Sequence, residues 1–286
     1  VIPAAGGIRG NGVATRTNSL YARELARAAA GALLFAFPLM MTMEMWWIGF
    51  YLDPVRFALF ILVGFALLLG LSYYSGFQGE EGWRDVIMDT LSGFAVAVAV
   101  SALFLGLFGV LQFDMPLGEI VGKVGLVAIP AGIGALVARK QFQSSGDDDG
   151  EERADHCSYA GELFLMFGGA VFIAFNVAPT DEIELIAHMM TPWHGLLLAA
   201  VTIAIQHALV YNLEFSGQET WPRDRRFAFV FFNYTVAGYG VALAVSLYVI
   251  WTFGRTDGMP LTEVANLTVV LGFPAALGAA TARLVI

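Results

Sequence analysis

The chain reads as long apolar runs separated by short polar or proline-bearing breaks. A helix crossing the bilayer core needs roughly 20 apolar residues. Eight stretches qualify, near 27–51, 55–76, 87–112, 119–139, 159–178, 194–213, 227–253 and 262–284. None alternates apolar and polar at period two, so the pattern predicts helices and argues against a β-barrel. The first and seventh exceed what the core requires, which predicts tilt or extension beyond it.

The second regularity is internal. Shifted by 138 positions, Tyr21-Ala22-Arg23-Glu24-Leu25 meets Tyr159-Ala160-Gly161-Glu162-Leu163. Gly31 then meets Gly169, Thr42 and Glu44 meet Thr180 and Glu182, and Pro54 meets Pro192. Phe77, Gly79, Glu81 and Trp83 meet Phe215, Gly217, Glu219 and Trp221. With a slightly larger offset, Met115-Pro116-Leu117-x-Glu119 meets Met259-Pro260-Leu261-x-Glu263, and Pro130 through Arg139 meets Pro274 through Arg283. Apolar bias yields chance Ala and Val matches, but not Glu, Trp, Pro and Arg in one order. The chain reads as a duplication. Four spans per copy is an even number, so both copies enter the membrane in the same direction. The expected architecture is all-α: eight transmembrane helices as two parallel four-helix repeats about a pseudo-two-fold axis along the membrane normal. Residues 1–20 read as an N-terminal tail, 21–139 as the first repeat, 140–158 as an acidic linker and 159–286 as the second repeat.

Charge sets the expected orientation. With the N-terminus in the cytoplasm, twelve of the fifteen Lys and Arg lie on that side, and Arg56, Lys123 and Arg255 lie outside. By the positive-inside rule both termini are cytoplasmic, in a plasma membrane. Composition agrees, at 58% hydrophobic, 14% charged and a mean hydropathy of +0.70. A soluble domain carries about 25% charged residues. The formal charge of −9 comes without a basic patch, so nucleic acid is not an expected partner. Four histidines and one cysteine form no haem, zinc or iron–sulfur pattern, and no phosphate loop or nucleophile elbow is present. No metal, cofactor or enzymatic activity is expected.

Chemistry concentrates in a few repeated residues. Glu44 and Glu182, with Thr42 and Thr180, are the candidates for an ion or proton pathway; the alternative is that both acids sit hydrated at the outer interface as loop starts, which Pro179 favours for the second copy. A carboxylate inside a span costs about 2.5–3.5 kcal/mol, so it should face protein, water or a cation. Facing each other across the axis, the two glutamates would hold a cation or share a proton with one pKa raised. A residue separation of two turns a helical side chain by about 200°, so the threonines join the site only where the helix unwinds, as Pro179 would allow. The loop motif containing Gly79, Glu81 and Trp83, repeated as Gly217, Glu219 and Trp221, fits a glycine turn with an interfacial Trp anchor. Glu24 with Arg139, and Glu162 with Arg283, are expected structural ion pairs of modest energy. Glu119 and Glu263 sit where a helix dipole favours an acid. His207 is expected to be packed and hydrogen-bonded, while His156, His188 and His194 fall in loops.

At its Tyr-Ala-x-Glu-Leu, Thr-x-Glu and Gly-x-Glu-x-Trp elements the chain resembles a bacterial family of integral membrane proteins of unknown function. That resemblance implies an eight-helix membrane fold over nearly the whole chain and no particular activity. The residues themselves leave two readings open. One is a cation or proton channel or secondary transporter that uses paired glutamates at the repeat interface. The other is a non-conducting structural or assembly subunit of a membrane complex. Expected partners are the lipid bilayer and either another membrane protein or a second copy of the chain.

Overall fold

A computed structural model describes residues 10–75, 82–144, 159–212 and 231–285. The first half contains α1 (Gly10–Met40), α2 (Met43–Tyr51), α3 (Pro54–Ser75), α4 (Trp83–Leu107) and α5 (Leu117–Ser144). The second contains α6 (Tyr159–Val177), α7 (Glu182–Met189), α8 (Pro192–Asn212), α9 (Ala237–Thr252) and α10 (Leu261–Val285). A π-helical turn, Phe231–Val236, leads into α9. Among the described residues every regular element is helical, and seven helices are long and apolar enough to cross a membrane. They become eight when α1 and α2 are counted as one bent span.

Three details differ from the sequence reading. The first apolar run, 27–51, is not one helix: α1 ends at Met40 and α2 leaves it at 86°. Pro38 sits in the last turn, the Thr42 hydroxyl donates to the Pro38 carbonyl at 2.7 Å, and Thr42 itself is extended (φ −96°, ψ 114°). A proline near the end and a threonine that caps carbonyls stop the helix although its apolar character continues. Helix α1 also begins at Gly10, inside the segment read as a tail. In the second half α6 stops at Val177, Pro179 follows, and the Thr180 hydroxyl donates to the Val177 carbonyl at 2.8 Å. The short helix α7 then fills a stretch read as a loop, so His188 is helical, and His194 lies in the first turn of α8. Eight residues with two acids in the first turn leave too little pattern to recognise.

Each half is organised on its last helix. In the first, α1, α2, α3 and α4 all pack on α5; in the second, α6, α7, α8 and α9 pack on α10. Helices in lipid gain little from hydrophobic transfer and rely on close contact through small residues. A Cβ on Gly31 would overlap the Gly134 carbonyl and the Ala138 methyl, and one on Gly169 would overlap the Gly278 carbonyl and the Ala282 methyl. These two crossings use residues that match at the sequence offsets. Thr90 and Thr235, Ala97 and Ala242, and Ser101 and Ser246 match likewise, and all six are fully buried.

The halves meet through aromatic rings. Phe35 lies 4.6 Å from Phe172, and Phe60 lies 5.1 Å from Phe175 and 6.0 Å from Phe253, centroid to centroid. Phe60, Phe175 and Phe253 are all but completely buried. Phe164 packs against Gly70 of α3, where a side chain would collide with its ring.

Candidate functional site

The end of the bundle that carries α2 and α7 gathers most of the described charge pairs. Its geometry starts from a helix stop. Helix α9 ends at Thr252, and Gly254 takes φ +78°, a left-handed conformation that suits glycine. The Arg255 amide then donates back to the Ile250 carbonyl at 2.9 Å, which returns the chain over its own last turn. Helix α4 ends in the same way, with Gly109 at φ +72° and the Val110 amide on the Leu105 carbonyl at 2.9 Å. The residue after the glycine is therefore aimed at the helix. In the first half it is a buried valine; in the second it is arginine.

Arg255 is met by partners suited to a guanidinium. Its Nη1 donates to Asp181 Oδ1 and Glu184 Oε1, each at 2.8 Å, and its Nη2 donates to the Pro179 carbonyl. The arginine side chain is 11% exposed, against 31% for Glu184 and 74% for Asp181. Burial alone would lower its pKa, but the hydrogen bonds and charges of Asp181 and Glu184 outweigh that and raise it. Arg255 stays charged. The break between α6 and α7 thus does two things: it frees the Pro179 carbonyl and places two acids within one helical turn.

Glu44 arrives from the first half. On α2 it lines a cavity of about 260 Å³ together with Met43, Trp47 and Tyr51 from the same helix and Asp181 and Arg255 from the second half. The acid of the 180–182 stretch that lines this cavity is Asp181; Glu182 is exposed in the first turn of α7. The two threonine hydroxyls, Thr42 and Thr180, are spent on the carbonyls that end α1 and α6.

A second link joins the halves beside this cavity. Arg56 of α3 makes a bidentate pair with Asp257, at 2.8 and 2.7 Å, and its guanidinium carbon lies 5.1 Å from the centre of the Trp251 ring. Asp53 caps α3 by accepting the Val55 and Arg56 amides. The Arg56 hydrogen bond holds the Asp257 carboxyl below its ordinary value of 3.8. A lowered folded-state pKa means the clasp is fully present above that ordinary value and is lost as pH falls through the depressed one. Stability measured from pH 5 to 8 should therefore show no step that Asp257→Asn removes. Because Asp257 is exposed, the substitution should lower the thermal midpoint only slightly.

Lys123 is the third basic residue of this end. One and a half turns into α5 and almost buried, it pairs with Glu119 at 2.6 Å, while Glu263 lies 3.7 Å from His188 Nδ1. Both acids open their helices as expected, but each also has a basic neighbour.

At the opposite end the outcome is partial. Trp83 opens α4 and stacks on Tyr73 with centroids 5.5 Å apart. Gly79, Glu81, Gly217, Glu219 and Trp221 lie outside the described residues, as do the side chains of Arg139 and Arg283, the expected partners of Glu24 and Glu162. His207 is hydrogen-bonded, with Nδ1 2.9 Å from Thr235 Oγ1. Among the described residues no group of three His, Cys, Asp or Glu is placed to hold a metal.

Sequence reasoning missed Arg255, Asp181 and Glu184. One signal was available: Arg56, Lys123 and Arg255 are the three basic residues that the expected orientation puts outside. Each is paired with an acid.

Long apolar helices, breaks that satisfy their own carbonyls and glycine-mediated crossings define an integral membrane protein with several transmembrane helices. Residues 24–286 match the model of the family described as "Putative integral membrane protein (DUF2391)", and the chain belongs to that family, whose function is unknown. No curated protein and no solved structure is significantly similar to it.

Proposed function

We propose that this protein is a cation or proton channel or secondary transporter of a bacterial inner membrane. In this reading two parallel four-helix repeats stand about a pseudo-two-fold axis, both termini are cytoplasmic, and the α2–α7 end faces outward. One observation carries it: Glu44 from the first half and Asp181 with Arg255 from the second line a single cavity. Glu44, Asp181 and Glu184 outnumber Arg255, so the local field attracts cations and repels anions. This reading pairs Glu44 with Asp181, the neighbour of Glu182, because those two acids line one cavity. The repeat architecture draws support from the matched Gly31–Gly134 and Gly169–Gly278 crossings and from the two identical glycine helix stops.

The test is cation and proton flux in liposomes. Glu44→Gln combined with Asp181→Asn should lower cation uptake by about tenfold, while Glu182→Gln alone should leave it unchanged. Wild-type uptake in the double variant would defeat the proposal. The phenylalanine-filled contact favours the second reading, a non-conducting structural or assembly subunit, because buried Phe60, Phe175 and Phe253 pack apolar rings between the halves. Folded wild-type protein that passes no cation or proton at any pH from 5 to 8 would establish that reading over the first.

A further inference from the structure

A second polar site lies inside the second half, away from the charged cavity. Gln206 is about 21 Å along α8 from Pro192, counting 1.5 Å per residue. It is fully buried, and among the described residues neither its amide nitrogen nor its amide oxygen has a hydrogen-bond partner. Its Nε2 and the Met166 methyl both lie over Gly238, where a Cβ would collide with them. Next to it, the His207 ring bonds Thr235 and meets Phe231 edge-on at 5.3 Å. Thr235 and Phe231 both belong to the π-helical turn, Phe231–Val236.

Comparison of the halves isolates this place. At the offset of 138, Gln206 and His207 correspond to Leu68 and Leu69. Leu68 is equally buried but packs its methyls over Gly132. At the offset of 145 the π-helical turn corresponds to residues 86–91, which are ordinary α-helix within α4. Two polar side chains and an irregular turn therefore coincide in one half at one level. Helical π turns are rare and recur at functional sites. A fully buried amide without partners is costly, and more so at membrane depth, where the site must supply what lipid cannot. Gln206 offers two donors and an acceptor side by side, the pattern that water satisfies and an apolar guest does not.

We propose that Gln206, His207 and Thr235 line a hydrated site within the second half. The cation or proton route then runs through that half rather than along the phenylalanine contact. The route rests on the conduction reading above; the hydrated site does not.

Cysteine labelling separates the two. In the full chain reconstituted in liposomes, with Cys157→Ser as background, Gln206→Cys should react with a small water-soluble methanethiosulfonate about tenfold faster than Leu68→Cys. Equal, slow reaction at both positions would overturn the hydrated site. Should Gln206→Cys fail to fold, Gln206→Leu decides by stability. A thermal midpoint unchanged or lowered is expected, because the amide is already satisfied by water. A rise of several degrees would mean a dry, unpaired amide and would overturn the site. Flux tests the route: Gln206→Leu should lose most cation uptake and Leu68→Met should keep it. Uptake unchanged in Gln206→Leu overturns the route through the second half. No flux in the wild type removes the conduction reading and the route with it, while the labelling rates still decide the hydrated site.

Discussion

Gly31→Leu should yield no folded protein that survives size-exclusion chromatography in mild detergent. Gly31→Ala should fold with a loss of about 1–3 kcal/mol, the usual range for overpacking. The reason is geometric. A Cβ on Gly31 would occupy the space of the Gly134 carbonyl and the Ala138 methyl, and a carbonyl in a helix cannot yield as a side-chain tip can. Both helices must then separate, and α1 loses its main contact, since α5 is the element on which the first half is built. Lipid tails offer no hydrophobic penalty to hold the helices together once the close approach is gone. The same substitutions at Gly169 should act alike on α6 and α10, where the Gly278 carbonyl and Ala282 are the obstacles. Gly106 and Gly240 provide controls, because nothing lies within 4 Å of a Cβ at either position. Alanine there should be neutral or slightly stabilising, given the backbone freedom glycine retains in the unfolded chain. If Gly31→Leu proved as stable as Gly106→Leu, the close crossing would not be what holds the first half together.

Much of this architecture was legible because hydrophobic length is a direct physical requirement of the bilayer. Seven of the eight apolar runs became helices, four of them with both ends within two residues of the expected ones; α4 stops five residues early, α5 runs five further, and the seventh run opens on the π-helical turn at Phe231. The eighth, 27–51, shows what length cannot report. Residues 43–51 are as apolar as a span, yet the proline in the last turn of α1 and the carbonyl-capping Thr42 turn them through 86°. Hydropathy sums over residues and carries no direction. The matched Gly31, Gly134, Gly169 and Gly278 were visible as repeated letters, but their use as crossing points depends on which helix each faces. For the candidate site, Glu44 was found because it repeats, and repetition was the filter applied. Arg255 escaped because its counterpart is Val110: a comparison that keeps only shared residues discards the positions where the copies differ. Gln206 and His207 stand opposite Leu68 and Leu69, and for want of a match His207 reads from the sequence as a packed, hydrogen-bonded residue rather than part of a site. Here the residues shared between the halves report the scaffold, and unshared polar ones point to what a single half does.

Arg255→Val should cost about 2 kcal/mol of stability, the scale of hydrogen bonds to charged groups. The choice of valine follows from the first half, where Val110 occupies the same place after a left-handed glycine, so backbone and volume tolerate it. The loss comes from three acceptors, Asp181, Glu184 and the Pro179 carbonyl, left without their common donor. It stays below the 3–5 kcal/mol typical of breaking a deeply buried pair, because Asp181 is 74% exposed and water can replace the arginine there. Glu184, at 31%, bears more of the cost. A double-mutant cycle with Glu184→Gln should therefore show coupling: losing Arg255 should cost clearly less once Glu184 is neutral. Arg255→Lys should recover only part of the loss, since a point charge cannot serve two carboxylates and a carbonyl as a planar fork does. Function should move the other way. Removing the cation leaves Glu44, Asp181 and Glu184 uncompensated, so the cavity potential becomes more negative and half-saturating cation concentrations in liposome uptake should fall. A variant that is less stable yet takes up cations at lower concentration would tie Arg255 to both roles. Strict additivity in the cycle would mean that Arg255 and Glu184 do not share an energetic unit. An unchanged concentration dependence would mean that the cavity Arg255 lines is not on the path.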